Sequence, residues 1–80
     1  FDIIWEEGGG GNVEHIARHN LTPDDVEYVL ENPVSEDVSV SSERPVAFGY
    51  IPDGRYICVV FEEFDESTLY PITAFEVEEP

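Results

Sequence analysis

The sequence predicts one small α+β domain over residues 1–80, in which an N-terminal strand and two short helices pack on an antiparallel β-meander of three to four strands. Helix-capping residues and a glycine run lie before residue 34, whereas from Val38 onward apolar residues recur with a period of two. A chain of 80 residues, 41% of them hydrophobic, is long enough for one core and too short for a second domain.

The chain begins with a predicted strand and a first helix. Residues 1–5 are β-branched and aromatic and are followed by a breaker, the glycine run 8–11, which is typical of a strand end. Asn12 has the residue type that caps a helix. Glu14 and Arg18 are four residues apart, the spacing of a surface ion pair. The core face of this helix is predicted to carry Val13, Ile16 and Ala17.

A second helix is indicated by capping residues at both ends. Thr22 is a good N-cap, Pro23 suits the first helical position, and an acidic pair, Asp24 and Asp25, favours the positive end of the helix dipole. Asn32-Pro33 ends the helix, because the residue before a proline disfavours helical geometry. The predicted core face carries Val26, Val29 and Leu30.

Three strands are predicted in the second half of the chain. They cover about 44–51, 55–63 and 68–77, and a weaker strand covers 38–42. Short turns join consecutive strands, so the predicted topology is a meander.

Two turns set the strand register. The first turn pairs Ile51 with Arg55, and the second pairs Glu63 with Thr68. The first register places opposite each other Tyr50 and Tyr56, Phe48 and Cys58, Val46 and Val60, and Arg44 and Glu62. The second places opposite each other Phe61 and Tyr70, Val59 and Ile72, Ile57 and Ala74, and Arg55 and Glu76.

Both faces of this sheet are predicted to be apolar. The face that the helices approach carries Ala47, Gly49, Ile57, Val59, Phe61, Ile72 and Ala74. The opposite face carries Val46, Phe48, Tyr50, Tyr56, Cys58, Val60, Thr73 and Phe75.

Two short helices can cover only one of these faces, so the other is predicted to bind a protein partner or a second copy of the chain. The predicted contacts are Phe48, Tyr50, Tyr56 and Phe75. The alternative is that the N-terminal strand, residues 33–43 or the C-terminal residues cover this face.

The charge balance restricts the partners further. Nineteen acidic residues against three arginines and no lysine give a formal net charge of -16. Binding to nucleic-acid phosphates requires cations, and an anionic membrane surface repels such a chain, so neither DNA nor a membrane is a predicted partner. RNA is a predicted partner only of an active nuclease. An alternative is that the acidity serves solubility or adaptation to salt rather than the binding of a partner.

The sequence favours a cytoplasmic protein. No apolar run reaches the roughly 20 residues of a membrane span, and the first residues lack the basic region of a secretory signal. Cys58 is the one cysteine and lies in an apolar run, which favours a reducing compartment and a buried thiol.

Three clusters have the residue types of a ligand site. His15 and His19 have the spacing of metal ligands, but Ile16 stands where a zinc protease has glutamate. The alternatives for His19 are a position at the edge of the core or a role as general acid or base. The glycine run 8–11 lacks the lysine of a phosphate loop, and the acidic turn 62–66 lacks the spacing of an EF-hand. No metal or cofactor is predicted.

Several short motifs follow one another along nearly the whole chain. They are Trp5 in the first strand, His15, Arg18-His19-Asn20, Asn32-Pro33, Glu43-Arg44, Gly54-Arg55 before an apolar strand, and Ile72-Thr73-Ala74 in the last strand. This order resembles the BrnT-like toxins. The resemblance implies a RelE-like fold and a metal-independent ribonuclease, the toxin half of a bacterial toxin-antitoxin pair that a DNA-binding antitoxin neutralises. The site residues that the resemblance implies are His19, Glu43, Arg44 and Arg55.

The last strand departs from that family. Tyr70 and Phe75 stand where such toxins tend to carry arginine, and residues 76–80 are acidic where the toxins have a basic tail. Cutting RNA needs cations that hold phosphates and stabilise the charge of the transition state. Arg44 and Arg55 also lie at opposite ends of their predicted hairpin, roughly 24 Å apart at strand spacing.

The sequence therefore favours a BrnT-like domain that acts mainly through protein contact, with an antitoxin or with itself, and whose ribonuclease activity is degenerate. One alternative is an active metal-independent endoribonuclease, with His19 as proton donor or acceptor and Arg44 or Arg55 steadying phosphate. Another is an acidic nucleic-acid mimic that occupies a basic cleft of a different protein.

Overall fold

The computed structural model describes residues 1–39, 41 and 43–80, which form an α+β fold with one five-stranded sheet and two helices. The elements are β1 (Asp2–Ile3), α1 (Asn12–Ala17), α2 (Pro23–Glu31), β2 (Ser35–Val38), β3 (Pro45–Tyr50), β4 (Tyr56–Asp65) and β5 (Thr68–Glu76). The strand order is β1-β5-β4-β3-β2, so the predicted meander is confirmed for β2 to β5. The predicted strand count was too low, because β1 joins the sheet as a parallel edge strand beside β5.

The N-terminal segment is held to the sheet by the pairing of β1 with β5 and by the side chain of Asn12. The prediction that Asn12 caps α1 was wrong, because Gly11 is the N-cap and Asn12 is the first helical residue. The buried Asn12 amide accepts a hydrogen bond from the backbone N–H of Glu6 at 2.7 Å and donates to the carbonyls of Ile4 and Pro71 at 2.9 Å. A Cβ atom at Gly11 would overlap the Glu6 carbonyl, so this close approach requires glycine.

The two helices largely follow their local signals. Glu14 and Arg18 form the predicted ion pair at 2.8 Å. Thr22 caps α2 in a reciprocal capping box with Asp25, and the helix ends at Glu31, before Asn32. The predicted core faces are confirmed with one exception in α1: Ile16, Val26, Val29 and Leu30 are buried and Val13 is half-buried, but Ala17 is exposed.

The strand β2 begins earlier than predicted. It covers Ser35–Val38 rather than 38–42, and Val40 and Ser42 of the predicted segment lie outside the described residues. The register of β3 on β4 is confirmed, with Tyr50 opposite Tyr56, Phe48 opposite Cys58 and Val46 opposite Val60. The predicted contact between Arg44 and Glu62 is an ion pair of 3.1 Å.

The register predicted for β4 on β5 was wrong by two residues at the far end of the hairpin. Ile57 lies opposite Glu76 and Val59 opposite Ala74, because the strands pair up to Asp65 and Thr68 before the chain turns. The Asp65 carboxylate accepts hydrogen bonds from the backbone N–H and the hydroxyl of Ser67 and so closes a shorter turn. The predicted pairing of Arg55 with Glu76 is therefore absent.

Two bulges on opposite strands of this hairpin decide which residues enter the core. The register shifts between Val60 and Phe61, where Ile72 on β5 has no partner, and again between Glu63 and Asp65. As a result Phe61 pairs with Pro71 rather than with Tyr70, and Pro71 is buried in the position predicted for Ile72. Near Val59 and Ala74 the observed register differs from the predicted register by two residues. A difference of two keeps each side chain on its predicted face of the sheet.

The hydrophobic core lies between the helices and one face of the sheet. Val29 of α2 approaches the backbone so closely that a Cβ atom at Gly49 would lie 3.1 Å from its Cγ1 atom. Trp5, after β1, packs against the core and donates its indole N–H to Glu27 of α2 at 2.7 Å. The buried core residues are Ile16, Leu21, Val26, Val29, Leu30, Ala47, Ile51, Ile57, Val59, Phe61 and Ala74.

Candidate functional site

The face of the sheet opposite this core carries an apolar groove of about 320 Å³, which is open to solvent. Its floor consists of Val46 and Phe48 from β3 and Cys58 and Val60 from β4. One side is formed by β2 and the residue after it, with Asp37, Val38 and Ser39. The other side is formed by Phe75 of β5 and by Val77.

Cross-strand pairs arrange the groove in rows, because paired residues share a face of a sheet. One row runs Ser35, Phe48, Cys58 and Phe75, and the next runs Asp37, Val46, Val60 and Thr73. At one end lie Tyr50 and Tyr56, and at the other end lie Arg44 and Glu62. The predicted composition of this face is therefore confirmed by the strand pairing.

The four predicted contact residues differ in accessibility. Tyr50 is 37% exposed, and Phe48 and Phe75 are half-buried. Tyr56 is only 6% exposed, because the rings of Phe48 and Tyr50 lie on either side of it, with centroids at 6.1 and 4.8 Å. A partner on this face would meet Phe48, Tyr50 and Phe75, and Tyr56 would support them from below.

The C-terminal segment reaches the aromatic end of the groove. The backbone N–H of Val77 donates to the carbonyl of Tyr56 at 2.9 Å, and the Tyr50 hydroxyl donates to Glu79 at 3.1 Å. Partial burial and this bond to a carboxylate raise the pKa of Tyr50. A tyrosine is protonated at neutral pH even at its ordinary pKa, so the hydroxyl can donate this hydrogen bond to Glu79 beside the groove.

Cys58 is part of the groove floor but not a reactive group. Its side chain is 5% exposed, and burial raises the pKa of the thiol. A nucleophilic cysteine needs the opposite, a lowered pKa and access to solvent. The role of Cys58 is to fill space, as expected for a small apolar residue.

Every arginine of the chain lies within the described residues and is bound to a carboxylate. Arg18 pairs with Glu14 at 2.8 Å, Arg44 with Glu62 at 3.1 Å, and Arg55 with Asp53 at 2.8 Å. The backbone N–H and then the guanidinium of Arg55 lower the pKa of Asp53. Each guanidinium that could hold an RNA phosphate therefore already has a carboxylate beside it.

Two of the residues implied by the toxin resemblance lie near each other. Arg55 donates to the carbonyl of Asn20, the neighbour of His19, at 2.9 Å. The exposed His19 ring lies 6.1 Å from the ring of Phe75 and 6.3 Å from that of His15. This corner contains the His19 imidazole and the paired Arg55, and the ring of Phe75 lies beside the imidazole.

The other two implied residues are remote from this corner. Arg44 directly precedes β3, and its partner Glu62 lies towards the far end of β4 from Arg55. Glu43, beside Arg44, is exposed and has a positive φ of 58°. Arg44 and Arg55 thus lie at opposite ends of the hairpin, as predicted, and the four residues do not form one site.

Nothing in the described part of the chain groups three or more histidine, cysteine or carboxylate side chains as a metal site would. The described residues also contain no helix long and apolar enough to cross a bilayer.

Comparisons of the chain with family models, with curated proteins and with solved structures gave no significant match. The resemblance to the BrnT-like toxins therefore rests on the motifs quoted above.

Of the sides of the groove, the sequence predicted Phe75 as a contact and gave residues 33–43 and the C-terminal residues only as an alternative cover for this face. Val77 continues the alternation of Thr73 and Phe75 and was recoverable from that pattern. Asp37 and Val38 were not recoverable, because β2 is short, exposed along its length and has one apolar residue in four. Its position follows from pairing with β3, which local sequence does not specify.

Proposed function

We propose that this chain is a divergent BrnT-like domain with a RelE-like fold that acts through protein contact on its groove face, while its ribonuclease activity is degenerate. The partner is a protein such as an antitoxin, or a second copy of the chain. The observation that carries the proposal is the pairing of all three arginines with carboxylates in a chain of net charge -16.

Electrostatics supports the loss of RNA cleavage. Phosphate binding draws its free energy from cations that displace counterions, and each guanidinium here already faces a carboxylate. The transition state of phosphoryl chemistry gains further negative charge, which the surrounding carboxylates would destabilise. His19 alone supplies proton transfer but no charge stabilisation.

The groove face supports the contact function. Its accessible aromatic side chains are the half-buried Phe48 and Phe75 and the exposed Tyr50, a composition common at protein interfaces. Val46, Tyr56 and Cys58 are already buried, so association would remove from water only the part of this face that remains exposed.

The test of degenerate activity is incubation of the purified protein with end-labelled RNA in EDTA. We expect no cleavage above background for the unmodified protein or for His19→Ala. The matched control is His15→Ala, which removes the neighbouring exposed imidazole. Cleavage that is lost in His19→Ala and retained in His15→Ala would overturn the proposal in favour of an active metal-independent nuclease.

A further inference from the structure

We infer that the groove accepts one amphipathic helix with a basic polar face, contributed by a different protein. This inference rests on the proposed contact function and specifies its partner. It follows from the chemistry of the groove floor, its width, and the charges around it.

The floor favours a helix over an extended segment. It is made of side chains such as Phe48, Cys58 and Val60, which offer no backbone donors or acceptors. A segment docked on the floor must therefore satisfy its own backbone hydrogen bonds, as a helix does, because the backbone edge of the sheet lies along the outer side of β2 and not on the floor.

The width of the groove agrees with this choice. It extends from Asp37 on β2 across β3 and β4 to Phe75 on β5, which is three inter-strand spacings or about 14 Å. A helix with its side chains is about 10–12 Å wide. The apolar side chains of one helix face can enter between Val38 and Val77, while the helix axis stays above the sheet.

The charges around the groove favour a basic partner. Carboxylates outside any ion pair lie on two sides, with Asp37 on the β2 side and Glu79 bonded to Tyr50, and Glu62 lies beyond Val60. The one arginine on this face, Arg44, is already paired with Glu62. Lysine or arginine side chains on the flanks of a docked helix would reach these carboxylates at the rim of the groove.

The same charges disfavour a second copy as the occupant. Two chains of net charge -16 would bring like charges together across the interface. At physiological salt the screening length is about 8 Å, so charges near the contact repel each other with little attenuation. A basic helix is instead attracted by the negative potential of the same carboxylates.

The test uses three synthetic peptides of about 18 residues, or roughly five helical turns. The first has leucine and lysine in the period of an amphipathic helix, the second has the same composition in an order that scatters the leucines, and the third replaces lysine with glutamate. Isothermal titration calorimetry at about 0.15 M salt measures each affinity. We expect the first peptide to bind about tenfold more tightly than the second, and the third not to bind.

Substitutions in the protein locate the binding. Val60→Gln and Val77→Gln place an amide in the groove without changing the charge, and we expect each to weaken the first peptide about tenfold. The matched control is Val34→Gln, which makes the same change at a residue that is 58% exposed and outside the groove. It should leave the affinity unchanged, and circular dichroism checks that all three variants remain folded.

Two results would overturn the inference. If the scattered peptide binds as well as the amphipathic one, or if Val60→Gln and Val77→Gln bind normally, the attraction is unspecific charge, as in an acidic mimic of nucleic acid. If sedimentation shows a dimer that Val60→Gln dissociates, the occupant is a second copy. Such a dimer would leave the proposed contact function intact, whereas RNA cleavage that depends on His19 would overturn the proposed contact function.

Discussion

Asn12 connects three parts of the chain through one buried side chain. Its amide bonds the backbone of residues 4 and 6 and the carbonyl of Pro71, and it is the one buried polar residue described in the structure. Sequence reasoning identified a helix start at this position but assigned the wrong role to the side chain. The residue type is the same for a cap and for a buried bridge, and only the hydrogen bond to Pro71 and the close approach of Gly11 to Glu6 distinguish the two.

Replacement of Asn12 by aspartate tests this role. The substitution removes two N–H donors and places a carboxylate beside two carbonyl oxygens, so we expect the free energy of unfolding to fall by about 3 kcal/mol. Urea denaturation measures the change. The control is Asn20→Asp, at an exposed residue that contributes its backbone carbonyl to Arg55, and it should change stability by less than about 0.5 kcal/mol. Equal effects of the two substitutions would contradict the assigned role.

Helix α2 and the hairpin of β4 and β5 show how far local sequence determines an element. Helix α2 was predicted at both ends because its determinants, the Thr22 cap and Asn32-Pro33, act within one turn of the helix. The hairpin was predicted as an element but not in its register. The two bulges depend on which of Pro71 and Ile72 packs under the helices. This is determined by the packing of the whole core and not by the local sequence.

The same distinction applies to the groove. The floor was predicted from the alternation of β3 and β4, since a turn and a period of two suffice to pair those strands. The side formed by β2 was not predicted, and neither was the burial of Tyr56 between two other rings. Both depend on neighbours that are distant in sequence or on side-chain packing.

The capping box of α2 provides a test at the scale of the element. Thr22→Ala removes the side-chain acceptor for the N–H of Asp25, and we expect a loss of about 1 kcal/mol in the free energy of unfolding. Thr22→Ser keeps the hydroxyl and should restore most of that stability. If both variants unfold at the same urea concentration, the cap does not contribute through its hydroxyl.

At the scale of the whole molecule the dominant feature is repulsion among carboxylates. Three surface ion pairs account for all of the arginines, and exposed pairs of this kind contribute little stability. The remaining acidic side chains are uncompensated in a chain of net charge -16. Burial of the apolar core holds the fold together against this self-repulsion.

Salt should therefore stabilise the domain. Raising the sodium chloride concentration from about 0.05 M to about 0.5 M shortens the screening length and weakens the repulsion, so we expect the melting temperature to rise by several degrees. Thermal unfolding followed by circular dichroism measures this. A melting temperature that stays constant or falls would show that uncompensated charge does not limit the stability of the fold.

We propose that this domain works by contact through its groove face and not by binding RNA. The most direct measurement is a ¹H–¹⁵N NMR titration of the labelled domain, first with a single-stranded RNA oligonucleotide and then with the basic amphipathic peptide. We expect no shifts with RNA at physiological salt, and shifts with the peptide that concentrate at Phe48, Cys58, Val60 and Phe75. RNA-induced shifts at His19 and Arg55, with the groove unaffected by the peptide, would contradict it.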